Sequence, residues 1–234
     1  MSIGAEAGRR FRHFARVGLG DAAPDGRARL DALARWLQDA AYLDVIDAGF
    51  EGRGAWVVRR SRMDVARFPG FGEQLELTTW CSGLGKMWAE RRTTIAGDRG
   101  GAVETTAVWV FIDPGSGRPR PLEPEQVEVW GPSAGHRRVR ARLTHEDPPA
   151  GARAEGWRFR RADLDIADHV NNAAYWQAVE EHLELDPAVP VVAEVEHRGA
   201  ANAGEAVIRG GQDRWWICST DGETHASIRL TMDV

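Results

Sequence analysis

The sequence predicts an α+β fold in which one plan is used twice, each half an antiparallel sheet wrapped around a central helix. Three observations carry that expectation. Apolar residues recur at helical spacing over residues 31–50 and again from about 170 to 185. Each of these segments precedes a series of four short runs with strand-like alternation. The two series also share a register. Gly72-Glu73 and Gly204-Glu205 open the second strand of each, and counting back equally sets Asp39 opposite Asn171 and Met63 opposite Val195.

The elements follow in order. Leu33, Trp36, Leu37, Ala40, Tyr42, Leu43 and Ile46 give the first helix its apolar spacing, and Gly49 and Gly52 mark its exit. Strands are expected at 55–66, 74–80, 86–96 and 102–112, closed by the turn Asp113-Pro114-Gly115-Ser116-Gly117. Residues 114–156 are rich in Pro, Gly and Arg with little periodicity, and read as a connector over the surface of the first half. A short strand at 157–162 feeds the second helix, whose apolar side holds Trp176, Val179 and Leu183. Strands at 190–197, 205–210, 215–220 and 224–232 complete the chain. Helix then meander, used twice, is the pattern of a tandem (double) hotdog. It divides the chain into an N-terminal unit at 10–113, the connector at 114–156 and a C-terminal unit at 157–234.

Composition removes several classes of function. The 234 residues carry a formal net charge of −5, against general nucleic-acid binding. No apolar run is long enough to span a bilayer, and the first ten residues lack an apolar signal core, so a cytoplasmic address is expected. Cys81 and Cys218 are too few for a disulfide framework or a thiolate zinc site. The seven histidines are scattered, so neither a metal nor another cofactor is expected. Gly-x-Ser-x-Gly is missing, and Gly115-Ser116-Gly117 is only a turn. Lys86 is the single lysine. The pairs Arg59-Arg60, Arg91-Arg92 and Arg137-Arg138 read as solvated surface that could also receive an acidic carrier.

The most informative stretch runs Asp163-Leu164-Asp165-Ile166-Ala167-Asp168-His169-Val170-Asn171-Asn172-Ala173-Ala174-Tyr175-Trp176. Acidic residues, a histidine and paired asparagines crowd the approach to a helix whose first N–H groups can hold a negatively charged oxygen. A base beside such an anion site is what hydrolysis of an activated acyl group requires. Asp163 and Asp168 read as turn and N-cap residues. Asn171 and Asn172 either hold a water or satisfy backbone groups.

Two regions resemble the acyl-acyl-carrier-protein thioesterases. The first is Arg67-Phe68-Pro69-Gly70-Phe71-Gly72-Glu73 through Thr79-Trp80, continuing to Thr106-Ala107-Val108-Trp109-Val110. It is similar to that family's Arg-aromatic-Pro, Gly-acid, Thr-Trp and Thr-Ser-Val-Trp-Val pattern. The second, Leu164-Asp165-Ile166-Ala167-Asp168-His169-Val170-Asn171-Asn172 with Tyr175, resembles its Leu-Asp-x-Asn-x-His-Val-Asn-Asn segment with a following Tyr. The resemblance spans residues 10 to 232. It implies an N-terminal hotdog that shapes an acyl tunnel and a C-terminal hotdog that carries the chemistry. Ala167 stands where the family has an asparagine. By the Gly204-Glu205 register, Ala200 and Ala201 stand where it has a glutamate and a cysteine. Asp165 and His169 remain of that polar set.

The expected reaction is hydrolysis of a fatty-acyl thioester on acyl carrier protein, releasing free fatty acid without a cofactor. His169 is the best base, since imidazole titrates near neutral pH. Asp165 either orients it or acts as the base through water, and Asn171 is the third candidate catalytic residue. The amides of Val170 to Asn172 would polarise the carbonyl. Tyr175, Trp36, Tyr42, Trp56 and Trp88 are candidates for contact with the acyl chain. Glu180 and Glu181 read as solvated, with Glu181 a reserve carboxylate. Glu196, His197 and Asn202 are the polar residues nearest Ala200 and Ala201 and read first as ordinary strand and turn residues. The alternatives are a non-catalytic acyl-chain or acyl-carrier binding module and an acyl-coenzyme A thioesterase. Either a monomer or a homodimer suits two fused hotdogs.

Overall fold

The computed structural model describes residues 7–232. Among the described residues ten strands form one sheet, and each half holds the expected helix followed by a four-stranded meander, with β1 and α2 added to what the sequence predicts. The first half holds β1 (Phe11–Arg16), α1 (Leu30–Asp47), β2 (Ala55–Arg67), β3 (Gln74–Leu84), β4 (Trp88–Gly97) and β5 (Ala102–Ile112). After α2 (Pro124–Ala134) come β6 (Ala154–Phe159), α3 (Ala174–Glu180), β7 (Val191–His197), β8 (Gly204–Gly211), β9 (Arg214–Ser219) and β10 (Thr224–Met232). The sheet order is β1-β3-β4-β5-β2-β7-β10-β9-β8-β6, so the second five strands repeat the first five in mirror order. This is the double hotdog.

The halves join where β2 runs antiparallel to β7, from Arg60 opposite Glu196 to Val65 opposite Val191. Strand periodicity decides the faces. Met63, Val65, Val191, Ala193 and Val195 are buried against the helices. On the other face, Arg62 bridges Glu194 at 3.0 Å. α1 and α3 lie side by side on the helical face, and Leu33, Trp36, Leu37, Tyr175, Trp176 and Val179 fill one core with the sheet.

The connector holds more order than its composition suggests. α2 starts at a capping box in which the Glu123 side chain takes the amide at Gln126, and Gln126 returns a bond to the Glu123 amide. Trp130 anchors it, with ring centroids 5.0 Å from Phe50 and 5.9 Å from Trp56. Beyond α2 the chain crosses the face away from α1 and α3. The Trp88 indole donates to the Val139 carbonyl at 2.9 Å, and the Trp216 indole to the Glu146 carbonyl at 2.8 Å. Between them Glu196 is buried and accepts the amides of Thr144 (2.7 Å) and His145 (2.9 Å). Burial works against its charge, yet those bonds hold its carboxyl below the ordinary range. Glu196 therefore pins the connector to the second half.

Candidate active site

One loop precedes α1 and another precedes α3, and the two are built alike. In the first half, Ala22 pairs with Ala28, Ala23 N–H donates to the Arg27 carbonyl, and Arg29 N–H donates to the Asp21 carbonyl. In the second, Leu164 pairs with Val170, Asp165 N–H donates to the His169 carbonyl, and Asn171 N–H donates to the Asp163 carbonyl. Gly26 N–H reaches the Ala23 carbonyl with φ +87°, and Asp168 N–H reaches the Asp165 carbonyl with φ +59°. Each loop is tied to the connection after the first full strand of its half, Ala28 N–H to the Pro69 carbonyl and Val170 N–H to the Ala201 carbonyl, and the first loop also receives Phe71 N–H at the Gly26 carbonyl. Arg27 thus occupies the place of His169, and Arg29 that of Asn171.

That equivalence corrects the expected register. Asn171 answers to Arg29 and not to Asp39, because α1 has 18 residues and α3 only 7. The second half spends fewer residues between its loop and its first full strand, so one offset cannot serve both. The second helix starts at Ala174 and ends at Glu180, well inside the expected 170–185. Val170 and Asn171 are drawn into strand-like pairing instead, and their amides are already donated to Ala201 and Asp163. Neither is free to polarise a carbonyl. The amides of Ala173 and Ala174 go to Asn171, and that of Asn172 has no partner among the described residues.

The pairing of Asp165 N–H with the His169 carbonyl sets these two residues directly across the loop from one another. His169 is exposed, and its ring makes no hydrogen bond or ion pair among the described residues. Asp165 is half-buried, and its carboxylate accepts the Ala167 amide at 2.9 Å. Ile166, at the loop tip, is fully exposed. Asn171 is half-buried and exchanges two hydrogen bonds with Gln38 of α1, each 3.2 Å. Asp163 and Asp168 are turn residues. The Asp163 carboxylate takes the Arg160 amide at 2.7 Å, and Asp168 adopts the left-handed turn conformation that aspartate tolerates.

Behind the loop the surroundings turn apolar. Ala201 is buried beside Tyr175, whose hydroxyl lies against the Ala201 backbone and is pushed up to about 12 by burial. The Tyr175 ring meets Phe159 at 5.5 Å and His197 at 5.4 Å. His197 is a core imidazole, and burial pushes its pKa down to about 4. An unfolded histidine titrates near ~6.5, so below that pH the unfolded chain binds the extra proton. Stability is therefore lost as pH falls from about 6.5 toward about 4. His197→Phe should flatten the urea midpoint across that window, and an unchanged acid slope would show that another group sets it. Asn202 is exposed.

The remaining candidates do not share one lining. Trp36 is buried in the core with α3. Trp56 packs on Phe111 and Trp130 at the far end of α1, and Trp88 is held by the connector. Tyr42 is 55% exposed, one helical turn beyond Gln38, with its hydroxyl on Glu51. Glu181 is exposed as expected, but Glu180 is not. Its side chain is only 8% exposed, bridges Arg27 at 2.5 Å and accepts the Leu30 amide at 3.0 Å. α3 thereby supplies the N-terminal cap that α1 lacks in its own sequence. Periodicity on α3 alone could not have found this, since both partners lie in the other half.

A double hotdog with a titratable loop ahead of α3 is an arrangement compatible with thioester hydrolysis. Two family models match the chain in order, the acyl-ACP thioesterase N-terminal domain over residues 8–130 and the C-terminal domain over residues 147–208. The chain belongs to the acyl-ACP thioesterase family. An uncharacterized protein of Mycobacterium tuberculosis is 28% identical over 180 residues, covering 76% of this chain and 72% of that protein. The chloroplastic oleoyl-acyl carrier protein thioesterase 1 of Arabidopsis thaliana is 25% identical over 175 residues, covering 63% of this chain and 48% of that protein. Among solved structures, the 12:0-ACP thioesterase from Umbellularia californica superposes with a TM-score of 0.77 at 20% identity, covering 97% of this chain and 98% of that one. An acyl-ACP thioesterase from Bacteroides thetaiotaomicron gives 0.75 at 14% identity, covering 96% and 98%. No helix among the described residues is long and apolar enough to cross a membrane.

Proposed function

We propose that the chain hydrolyses fatty-acyl thioesters carried on acyl carrier protein and releases the free fatty acid, with the chemistry in the C-terminal unit at 157–234. The observation that carries this reading is the loop itself: the His169 ring stands exposed and without a partner among the described residues, directly across from Asp165, at the approach to α3. A histidine so left can take a proton from water, and a carboxylate opposite it can orient the ring or hold the water. The Asn172 amide, without a partner among the described residues, is a candidate backbone donor for the oxyanion. Exposed Ile166 and Tyr42 offer apolar surface for the acyl-pantetheine arm, and the N-terminal unit at 10–113 is the part assigned to the acyl chain. The carrier is acidic, and the exposed Arg161 just ahead of the loop is suited to meet it.

The test is thiol release by the purified chain from matched acyl-carrier-protein and acyl-coenzyme A thioesters. Higher kcat/KM on the carrier-protein series is expected. Faster turnover of the coenzyme A series would reassign the substrate. Tight binding of the acylated carrier with no thiol released would overturn the reaction.

A further inference from the structure

We infer that Gln38, on the helix of the first half, is a positioning residue for catalysis in the second half, acting through Asn171. The inference rests on the site proposed above. Gln38 Nε2 donates to Asn171 Oδ1 and Asn171 Nδ2 donates to Gln38 Oε1, both at 3.2 Å, while Asn171 Oδ1 also accepts the Ala173 amide at 2.9 Å. A carboxamide carries two N–H donors. One on each side chain is spent in this reciprocal pair, so each keeps one N–H without a partner among the described residues. Both side chains are half-buried and adjoin the loop that carries His169.

The other half shows what the same arrangement becomes without a reaction to serve. There α3 sends Glu180 to the first-half loop, where it binds Arg27 and the Leu30 amide. Each helix thus reaches across to the other's loop with one polar side chain. The first-half copy is ionic and sealed, with Arg27 and Glu180 side chains only 6% and 8% exposed. Its Arg27, in the place of His169, has no proton-accepting atom. The second-half copy is neutral and half-open. Neutrality matters, because a carboxylate at position 38 would set a like charge beside a developing oxyanion and leave Asn171 Oδ1 without its Gln38 donor. Gln38 therefore fixes the Asn171 carboxamide in orientation before the substrate arrives, and the first half contributes a group without which the second is incomplete.

Three variants test this on the acyl-carrier-protein thioester that the wild-type chain turns over fastest. Gln38→Leu should lower kcat by about 10- to 10²-fold with KM changed by less than about 3-fold. Gln38→Glu supplies its own signature. Ionised, it has no donor for Asn171 Oδ1; protonated, its O–H donates there while its carbonyl accepts from Asn171 Nδ2. Its kcat relative to wild type should therefore rise as pH falls through the carboxylate range. An unchanged kcat for Gln38→Leu, a loss confined to melting temperature, or a pH-independent ratio for Gln38→Glu would each overturn the inference. His169→Ala is the third variant. If it is inactive while Gln38→Leu is normal, only the role of Gln38 fails. If it too is fully active, or wild type itself shows no turnover, the proposed site fails with it.

Discussion

Replacing His169 with alanine is expected to cut kcat for acyl-thioester hydrolysis by about 10²- to 10⁴-fold, the usual contribution of a positioned acid–base group. The substitution isolates chemistry from folding. The ring is exposed and has no partner among the described residues, and the loop uses only its carbonyl, which alanine retains. Stability should accordingly move by less than about 0.5 kcal/mol, as for other surface positions. KM should change little, because the loop tip and the α1 surface that would meet the acyl group are untouched. Thiol-release kinetics beside a urea titration separate the two effects. Undiminished turnover in a well-folded His169→Ala protein would remove the imidazole from the mechanism.

Glu180→Ala is expected to destabilise the chain by about 3–5 kcal/mol, the range for breaking a buried ion pair by removing one partner. Two losses coincide, since buried Arg27 is left with only the longer Asp25 ion pair at 3.4 Å and the first amide of α1 loses its acceptor. The neighbouring contact, Gln177 to Asp31 at 2.9 Å, cannot take over that cap. Burial pushes the Glu180 carboxyl above the ordinary range even with Arg27 beside it, so desolvation consumes much of the attraction. The pair therefore contributes shape and partner choice more than net energy. A double variant, Arg27→Met with Glu180→Leu, should recover most of the loss in urea unfolding. A cost below about 1 kcal/mol for the single variant, or a double variant no better than the single, would refute this account.

Much of the fold was legible along the chain because a sheet strand advertises itself locally. Alternation at Val108, Val110 and Ile112, or at Ala226, Ile228 and Leu230, needs no partner to be read, and β2, β5 and β10 lie where their periodicity puts them. β1 escaped notice because it is an edge strand whose outward residues, Arg12, Phe14 and Arg16, hide the pattern of its half-buried ones. α2 escaped because Pro124, Gly131 and Pro132 argue against a helix, while what holds it is Trp130 against Phe50 and Trp56. The extent of α3 was overestimated because periodicity cannot see that Val170 and Asn171 give their amides to Ala201 and Asp163.

The same division applies to the site. Asp165 and His169 stand four residues apart, and a short loop brings such neighbours together by local hydrogen bonding alone, so their association was written in the sequence. Gln38 with Asn171, and Arg27 with Glu180, join residues far apart in the chain. Neither member of such a pair carries a local signal of the other, because its position is set by how α1 and α3 settle on a shared sheet. The repeated helix-and-meander plan and the candidate loop were thus legible in the amino-acid sequence by itself. Which loop was left open and which was sealed was decided only by tertiary packing, since burying a charge forces it to find a partner wherever the fold supplies one.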